Sequence, residues 1–370
     1  MKKYVALLLI AALVIPAVGC RYFDITDYLA SITYTAAPTQ QADITPEPTE
    51  PDETPEPTVA PTRDPYPGLP EEYRELGDFA KTCLMNAMGR IDEVLSYISA
   101  SPIRYESPAQ PFVGQNKYKE LAPHELAIYE NLLASAKSFS PVTFDYPDEE
   151  VIARISEALF IDHPEIEIYF AVEKAAAEDE TDQQTVTSYK TVFFLPEGRY
   201  LEQAEDMEEV KAQAEAFEAV ASFVVSRIPD DFSTIDKYRA LAYYISDNTS
   251  YLHMENEETP PYAMNAYGAI VNGHSICQGY TLGFEYLCRV ANLACRRVTN
   301  GHTDSTMHFW DEVTLLGGTY YVDVTWSDGT ATNYRDVDWF RWFMFVSDSE
   351  HVSNDETSTT GPDLNKTGWA

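Results

Sequence analysis

A cysteine, a histidine and an aspartate in the order Cys277, His308, Asp323 are the residue types from which thiol acyl-transfer chemistry is built. A thiolate attacks a carbonyl, an imidazole moves the proton, and a carboxylate behind the imidazole sets its tautomer. Cys277 lies in Gly273-His274-Ser275-Ile276-Cys277-Gln278-Gly279-Tyr280. Ser275 followed three residues later by Gln278 has the pattern of a capping box. A helix is therefore expected to start with Ser275 as its cap and Cys277 at its second position. Tyr280, Phe284, Leu287, Cys288 and Ala291 continue from it as an apolar stripe at helical spacing. Cys277 is then expected to point inward within the first turn. Unpaired backbone N–H groups and the helix dipole favour an anion there, the condition that turns a thiol into a nucleophile.

Downstream, residues 296–298, 308–313 and 319–324 read as strands, the last two joined around Gly317-Gly318. Across any two-residue turn the paired positions sum to an odd number, and so do 308 and 323, so both side chains project from one face of the hairpin. A turn on Gly317-Gly318 sets Asp323 opposite Glu312, about 13 Å along the strand from His308. A turn centred on Leu316-Gly317, or a four-residue loop over 315–318, sets Asp323 opposite Trp310. His308 is then its diagonal neighbour. The chemistry requires this second register, which is the one expected.

On these residues the sequence resembles the transglutaminase-like superfamily, papain-like thiol enzymes with a Cys–His–Asp triad. The resemblance rests on Cys277-Gln278-Gly279-Tyr280, on His308 followed by Trp310, and on Val322-Asp323-Val324-Thr325-Trp326. It spans residues 234–326, and Asp162-His163-Pro164-Glu165 resembles the N-terminal part of bacterial members. It implies an α+β fold: a papain-like/transglutaminase-like core, with the Cys-bearing helix packed on an antiparallel sheet, preceded by a mostly helical N-terminal region. It also implies Cys277 as nucleophile, His308 as general base and acid, and Asp323 as the residue orienting His308. Two positions depart from the pattern. Ser275 stands where glycine is common, and Asp311 stands where asparagine is expected, which could place an extra negative charge near His308.

Each residue type alone is usually structural; it is three motifs in order that point to chemistry. His302 is the second candidate base, and His274, ahead of the expected cap, should be exposed. Cys83, Cys288 and Cys295 read as core thiols. Eleven residues of helix, about 16 Å, keep Cys277 and Cys288 from bridging. There is no CxxC pair, HExxH or EF-hand loop. No metal or other cofactor is expected, and the calcium dependence of animal transglutaminases is not implied.

Ahead of these motifs, residues 76–98 read as an amphipathic helix. A second starts near Pro123 with Leu126, Tyr129, Leu132 and Leu133 on one face. Asp148 caps a third carrying Val151, Ile152, Ile155 and Leu159. Residues 166–172 and 186–195 read as strands with a turn at 180–184. A long helix follows over 201–228, then Pro229-Asp230-Asp231 and a helix over 234–246.

The whole chain has 370 residues and a formal charge of −35, from 60 acidic against 25 basic residues. That balance excludes nucleic acid as a partner, since no basic patch is available to release counterions. Five cysteines are too few for a disulfide scaffold. Lys2 and Lys3 precede an apolar run of 15 residues, short of the ~20 a spanning helix needs. Ala17-Val18-Gly19-Cys20 resembles the lipobox of bacterial lipoproteins. Residues 1–19 are therefore expected to be a signal peptide and Cys20 the lipidated N-terminus, anchoring the protein to the cell membrane on its extracytoplasmic face. Residues 20–70 read as a linker rich in Pro, Thr and Glu that adds nothing to a core. Residues 71–230 read as the helical N-terminal region and 231–370 as the transglutaminase-like domain. The expected activity is cleavage or transfer of acyl groups at amide bonds, hydrolysis favoured, on a protein or cell-wall peptide. A non-catalytic cell-surface binding module is the competing reading.

Overall fold

The computed structural model describes residues 64–103, 109–175, 187–196, 198–201, 207–253, 259–299, 308–315, 318–327 and 344–346. Cys20 with its signal, the linker up to 63, the turn at 180–184 and His302 lie outside them. Three amphipathic helices begin the fold: α1 (Asp78–Ala100), α2 (Pro123–Ser138) and α3 (Glu149–Asp162). Each buries a stripe at helical spacing, in α1 through Leu84, Ile91, Val94 and Ile98. Asp148 caps α3 as expected, accepting from the N–H groups of Glu150 and Val151.

A first antiparallel sheet holds β1 (Thr143–Tyr146), β2 (Phe170–Lys174), β3 (Thr187–Phe194) and β4 (Tyr200–Leu201), with β3 between β1 and β2 and also pairing β4. Two sequence boundaries shift here. The strand expected from 166 begins at Phe170, because the Pro164 turn closes through Ile166 N–H to His163 O and Tyr169 N–H to Ile166 O. The long helix expected from 201 is α4 (Met207–Arg227), and Leu201 instead pairs with Phe193 in the sheet. Helix-forming composition around 201 yields to an open strand edge on β3, which tertiary pairing completes.

Next come α5 (Thr234–Asn248), the two-residue strands β5 (Ser250–Tyr251) and β6 (His274–Ser275), and α6 (Cys277–Val290). The second antiparallel sheet runs β10-β9-β8-β7, with β7 (Cys295–Thr299), β8 (Phe309–Leu315), β9 (Gly318–Val322) and β10 (Met344–Val346); the short helix α7 (Val324–Ser327) follows β9. Helix α6 packs on β7 and β8, with α4 and α5 against it, and α1 packs on α4 and α5. One buried cluster takes in residues from α1, α4, α5, α6, β8 and β9, on both sides of position 230. Among the described residues no helix is long and apolar enough to cross a membrane.

The end of the proline-rich stretch belongs to the folded part. Leu69 is 3% exposed and sits in the core cluster, with Tyr66 packed against it. Arg74 holds this segment by donating to Leu69 O and pairing with Asp64 at 2.8 Å. A turn closed by Leu69 N–H on Tyr66 O, with Gly68 at φ 85°, carries that leucine into the core.

Arg289, in the last turn of α6, ties that helix to the N-terminal region. Its guanidinium donates to Asp162 O at 2.7 Å and Ile161 O at 3.0 Å and lies over the Phe112 ring. The Asp162 carboxylate in turn accepts from the N–H groups of Lys117 and Tyr118. The Asp162-His163-Pro164-Glu165 segment therefore acts as a buttress behind the helix that carries Cys277.

Candidate functional site

The path into α6 differs from a capping box. Cys277 is the first helical residue and Ile276 is its cap, without a side-chain hydrogen bond. Ser275 is fully buried in β6 and its hydroxyl donates to Ala263 O at 2.8 Å. Ser275 lies in β6, one residue too early to cap a helix that opens at Cys277. Ile276 N–H donates to the same Ala263 O at 3.0 Å, so the 3₁₀ turn Pro261–Met264 fixes the approach to Cys277. Gly279 is required by this packing. A Cβ there would run into Ser275 Oγ and lie 2.6 Å from Ala263 O. Tyr280, Phe284, Leu287 and Cys288 are buried as the stripe predicts, whereas Cys277 is half-buried and Ala291 forms the C-cap. His274 is exposed.

The parallel pair β5–β6 sets Ser250 beside His274 and Tyr251 beside Ser275. That pairing brings the Tyr251 hydroxyl to the start of α6, near the backbone N–H of Cys277. Desolvation of the hydroxyl and the nearby Cys277 sulfur raise the Tyr251 phenol above its ordinary value, against that N–H donor. Nothing in the spacing of Tyr251, 26 residues before Cys277, announces this contact.

In the hairpin, Leu315 pairs with Gly318 and Asp311 with Val322. This is the register in which position 323 lies opposite Trp310, reached against the simpler Gly-Gly turn. Asp323 follows β9 immediately, and His308 immediately precedes β8. Their contact is direct: His308 Nε2 is 2.6 Å from Asp323 Oδ2, and the other oxygen of Asp323 accepts from Trp326 N–H at 2.9 Å. Asp323 is fully buried, and α7 begins on its carboxylate. The Trp326 ring stacks on His308 at 4.2 Å and 11°, and Trp310 lies on it at 5.9 Å. The Cys277 thiol lies close to the His308 ring, whose Nε2 is engaged by Asp323.

Burial alone would push the His308 imidazole down. The Asp323 carboxylate, its hydrogen bond and the Cys277 sulfur outweigh it and raise the group to about 10. His308 is therefore an imidazolium across neutral pH, its positive charge beside the Cys277 sulfur and in contact with two indole rings. A protonated imidazole next to a half-buried sulfur at a helix N-terminus is an arrangement that can hold a thiolate and deliver a proton to a leaving amine.

Asp311 does not add charge at His308. It is 1% exposed, and its Oδ1 accepts from the Cys295 thiol at 3.5 Å on the α6 side of the sheet. Burial and the neighbouring Glu285 carboxylate raise Asp311 well above the usual carboxyl range, which favours its protonated form.

Residues 209–327 match the family model described as the transglutaminase-like superfamily. Among solved structures, the chain is similar to a candidate cysteine protease from Cytophaga hutchinsonii at 12% identity and a TM-score of 0.23, over 50% of this chain and 65% of that one. It is also similar to a structure described as a TGase at 16% identity and a TM-score of 0.24, over 40% of this chain and 43% of that one. The chain thus spans less than two thirds of either protein. No curated protein matches it in sequence.

Proposed function

From a chain that carries a transglutaminase-like domain at residues 209–327, we propose a thiol enzyme acting on amide bonds through Cys277, His308 and Asp323. The observation that carries the reading is one imidazole shared by a buried carboxylate at 2.6 Å and the Cys277 thiol. The Cys277 sulfur attacks the carbonyl carbon of the amide, and the developing oxyanion takes a hydrogen bond from the Cys277 N–H, the Tyr251 hydroxyl turning aside to admit it. The His308 imidazolium gives its proton to the departing amine, leaving a thioester on Cys277. Neutral His308 then takes a proton from water, whose oxygen attacks the thioester and releases an acid. Asp323 holds the ring orientation through both steps.

Hydrolysis is favoured over transfer to a second amine because the site is open to water. Cys277 is half-buried and Tyr251 is 37% exposed. The substrate class is a protein or cell-wall peptide, reached from a lipid anchor on Cys20 at the extracytoplasmic face of the membrane. The lipobox-like Ala17-Val18-Gly19-Cys20 and the proline-rich spacer support that placement. The alternative, a non-catalytic binding module, draws on one feature: the Tyr251 hydroxyl stands near the Cys277 N–H.

Alkylation of the protein by iodoacetamide across pH, followed by peptide mapping, separates the two. In an enzyme, Cys277 is modified readily at pH 6, and His308→Ala removes that low-pH reactivity. A Cys277 that stays unmodified until alkaline pH supports the binding module.

A further inference from the structure

We propose that the cleft between α1, the end of α5 and the π-helical turn Gly268–Asn272 binds a short peptide whose ammonium and carboxylate are both free. The cleft holds about 480 Å³, and Val271 is the one apolar side chain in its lining. Three backbone features meet there. Gly89 stands at the centre of α1, where glycine weakens a helix relative to alanine, yet an added Cβ would meet nothing within 4 Å. Packing does not demand a glycine at that position; the open space beside it is part of the cleft. The π-helical turn, a form that gathers at functional sites, closes through Gly273 N–H to Gly268 O at 2.8 Å. Gly273 ends it at φ 82°, and a Cβ there would lie 2.9 Å from Asn248 O. Asn248, the last residue of α5, fixes this wall. Its Nδ2 donates to Ala269 O at 2.8 Å and Ile270 O at 3.1 Å, which leaves Oδ1 to accept from a ligand.

The side chains supply both signs of charge. Arg90 donates through Nη1 to Asp247 O, and the same nitrogen stands 3.9 Å from the Asp247 carboxylate. Its Nε and Nη2 have no partner among the described residues, and they offer the planar fork that suits a carboxylate. Glu93, one turn along α1, and Asp247 give the cleft two acids against one base. An ammonium is therefore matched as well as a carboxylate. Asn86, one turn before Arg90, and Asn272 have side-chain amides with no hydrogen-bond partner among the described residues, and each offers the donor and the acceptor that a peptide bond pairs with. A neutral sugar would use these amides and leave the charges unanswered. A phosphate would face two acids. Gly273 lies four residues before Cys277, so the rim of the cleft is at most about 14 Å from that residue, Cα to Cα.

Binding here does not depend on thiol chemistry, so it is tested by calorimetric titration of the full chain, wild type and Cys277→Ala. The probes are glycylglycine, N-acetylglycylglycine, which lacks the ammonium, and glycylglycine amide, which lacks the carboxylate. Glycylglycine is expected to bind both proteins alike with a Kd on the order of 1 mM. Each capped probe should bind about ten-fold more weakly or worse. Gly89→Leu places a better helix former in the open space, so Tm should be kept or raised while glycylglycine binding is lost. Asn272→Ala, at an exposed position outside α1, should weaken binding several-fold with Tm unchanged. Equal binding of the three probes, or full binding in a folded Gly89→Leu protein, overturns the proposal. So does the absence of glycylglycine binding up to about 50 mM, binding that requires Cys277, or binding of N-acetylglucosamine in place of the dipeptide.

Discussion

The two ends of α6 treat a buried carboxylate in opposite ways. At the N-terminal end, Asp323 has a cation and a backbone donor for its two oxygens, His308 Nε2 and Trp326 N–H. At the other end, Asp311 has a thiol donor on one oxygen, and its Oδ2 is buried without a hydrogen-bond partner. Both are at most 1% exposed. Burial is therefore not what distinguishes them. The partner decides: a carboxylate facing an imidazolium keeps a charge that works on the ring, whereas one facing thiols and another acid takes up a proton. The aspartate that stands where asparagine is expected falls at the second end, where burial favours the protonated acid.

Five single substitutions and one double variant would break or sharpen that contrast. The largest effect is expected from Cys277→Ala and His308→Ala, each lowering kcat on any amide substrate by about 10⁴-fold or more while the folded CD spectrum is kept. Wild-type turnover in either variant would leave the N-terminal end with no chemistry to contrast.

Asp323→Asn should cost about 10² to 10⁴-fold in kcat. It should also move the alkaline limit. His308 is raised from 6.5 to about 10, so the stabilisation of its charge is complete below 6.5 and is lost as pH rises through about 10. Removing the Asp323 charge should shift the alkaline limb of the pH–rate profile down toward the ordinary imidazole range. A limb that stays in place would show that Asp323 is not what holds the proton.

Gly279→Ala should destabilise the start of α6 by about 2–3 kcal/mol, read from urea unfolding, because the new Cβ meets Ser275 Oγ and two backbone carbonyls. Ser275→Gly in the same chain should relieve only part of this, since Ala263 O and Asn265 O remain at 2.6 and 2.9 Å.

The smallest effect belongs to the other end. Asp311 binds a proton more tightly folded than unfolded, so its contribution is present at acid pH and lost as pH rises through its elevated value. Asp311→Asn should therefore raise Tm by about 3–5 °C at pH 8 and change it little at pH 4. An equal shift at both pH values would mean that the carboxyl is not neutral in the fold.

Much of the frame was legible because it depends on local periodicity. The stripe on α1, the Asp148 cap of α3 and the strands at 295–299 and 309–315 follow from spacing that any neighbour would exploit. The hairpin register was also legible, since only one register lets an acid at 323 reach an imidazole at 308. Where competing local and tertiary claims met, the sequence misled. Ser275 has the look of a cap and serves a carbonyl from the 3₁₀ turn, and Leu201 sits in a helical pattern and pairs as a strand.

The sequence by itself determined which residues could carry acyl-transfer chemistry, their order, and the helix and hairpin that present them. These rest on side-chain type and on periods of 3.6 and 2, which are local properties. The tertiary structure decided which groups share a space. It brought Tyr251 to the Cys277 N–H through a two-residue parallel pair, stacked Trp326 on His308, and turned Asp311 toward Cys295 rather than His308. Those contacts depend on how separate segments cross, and no spacing along the chain encodes a crossing.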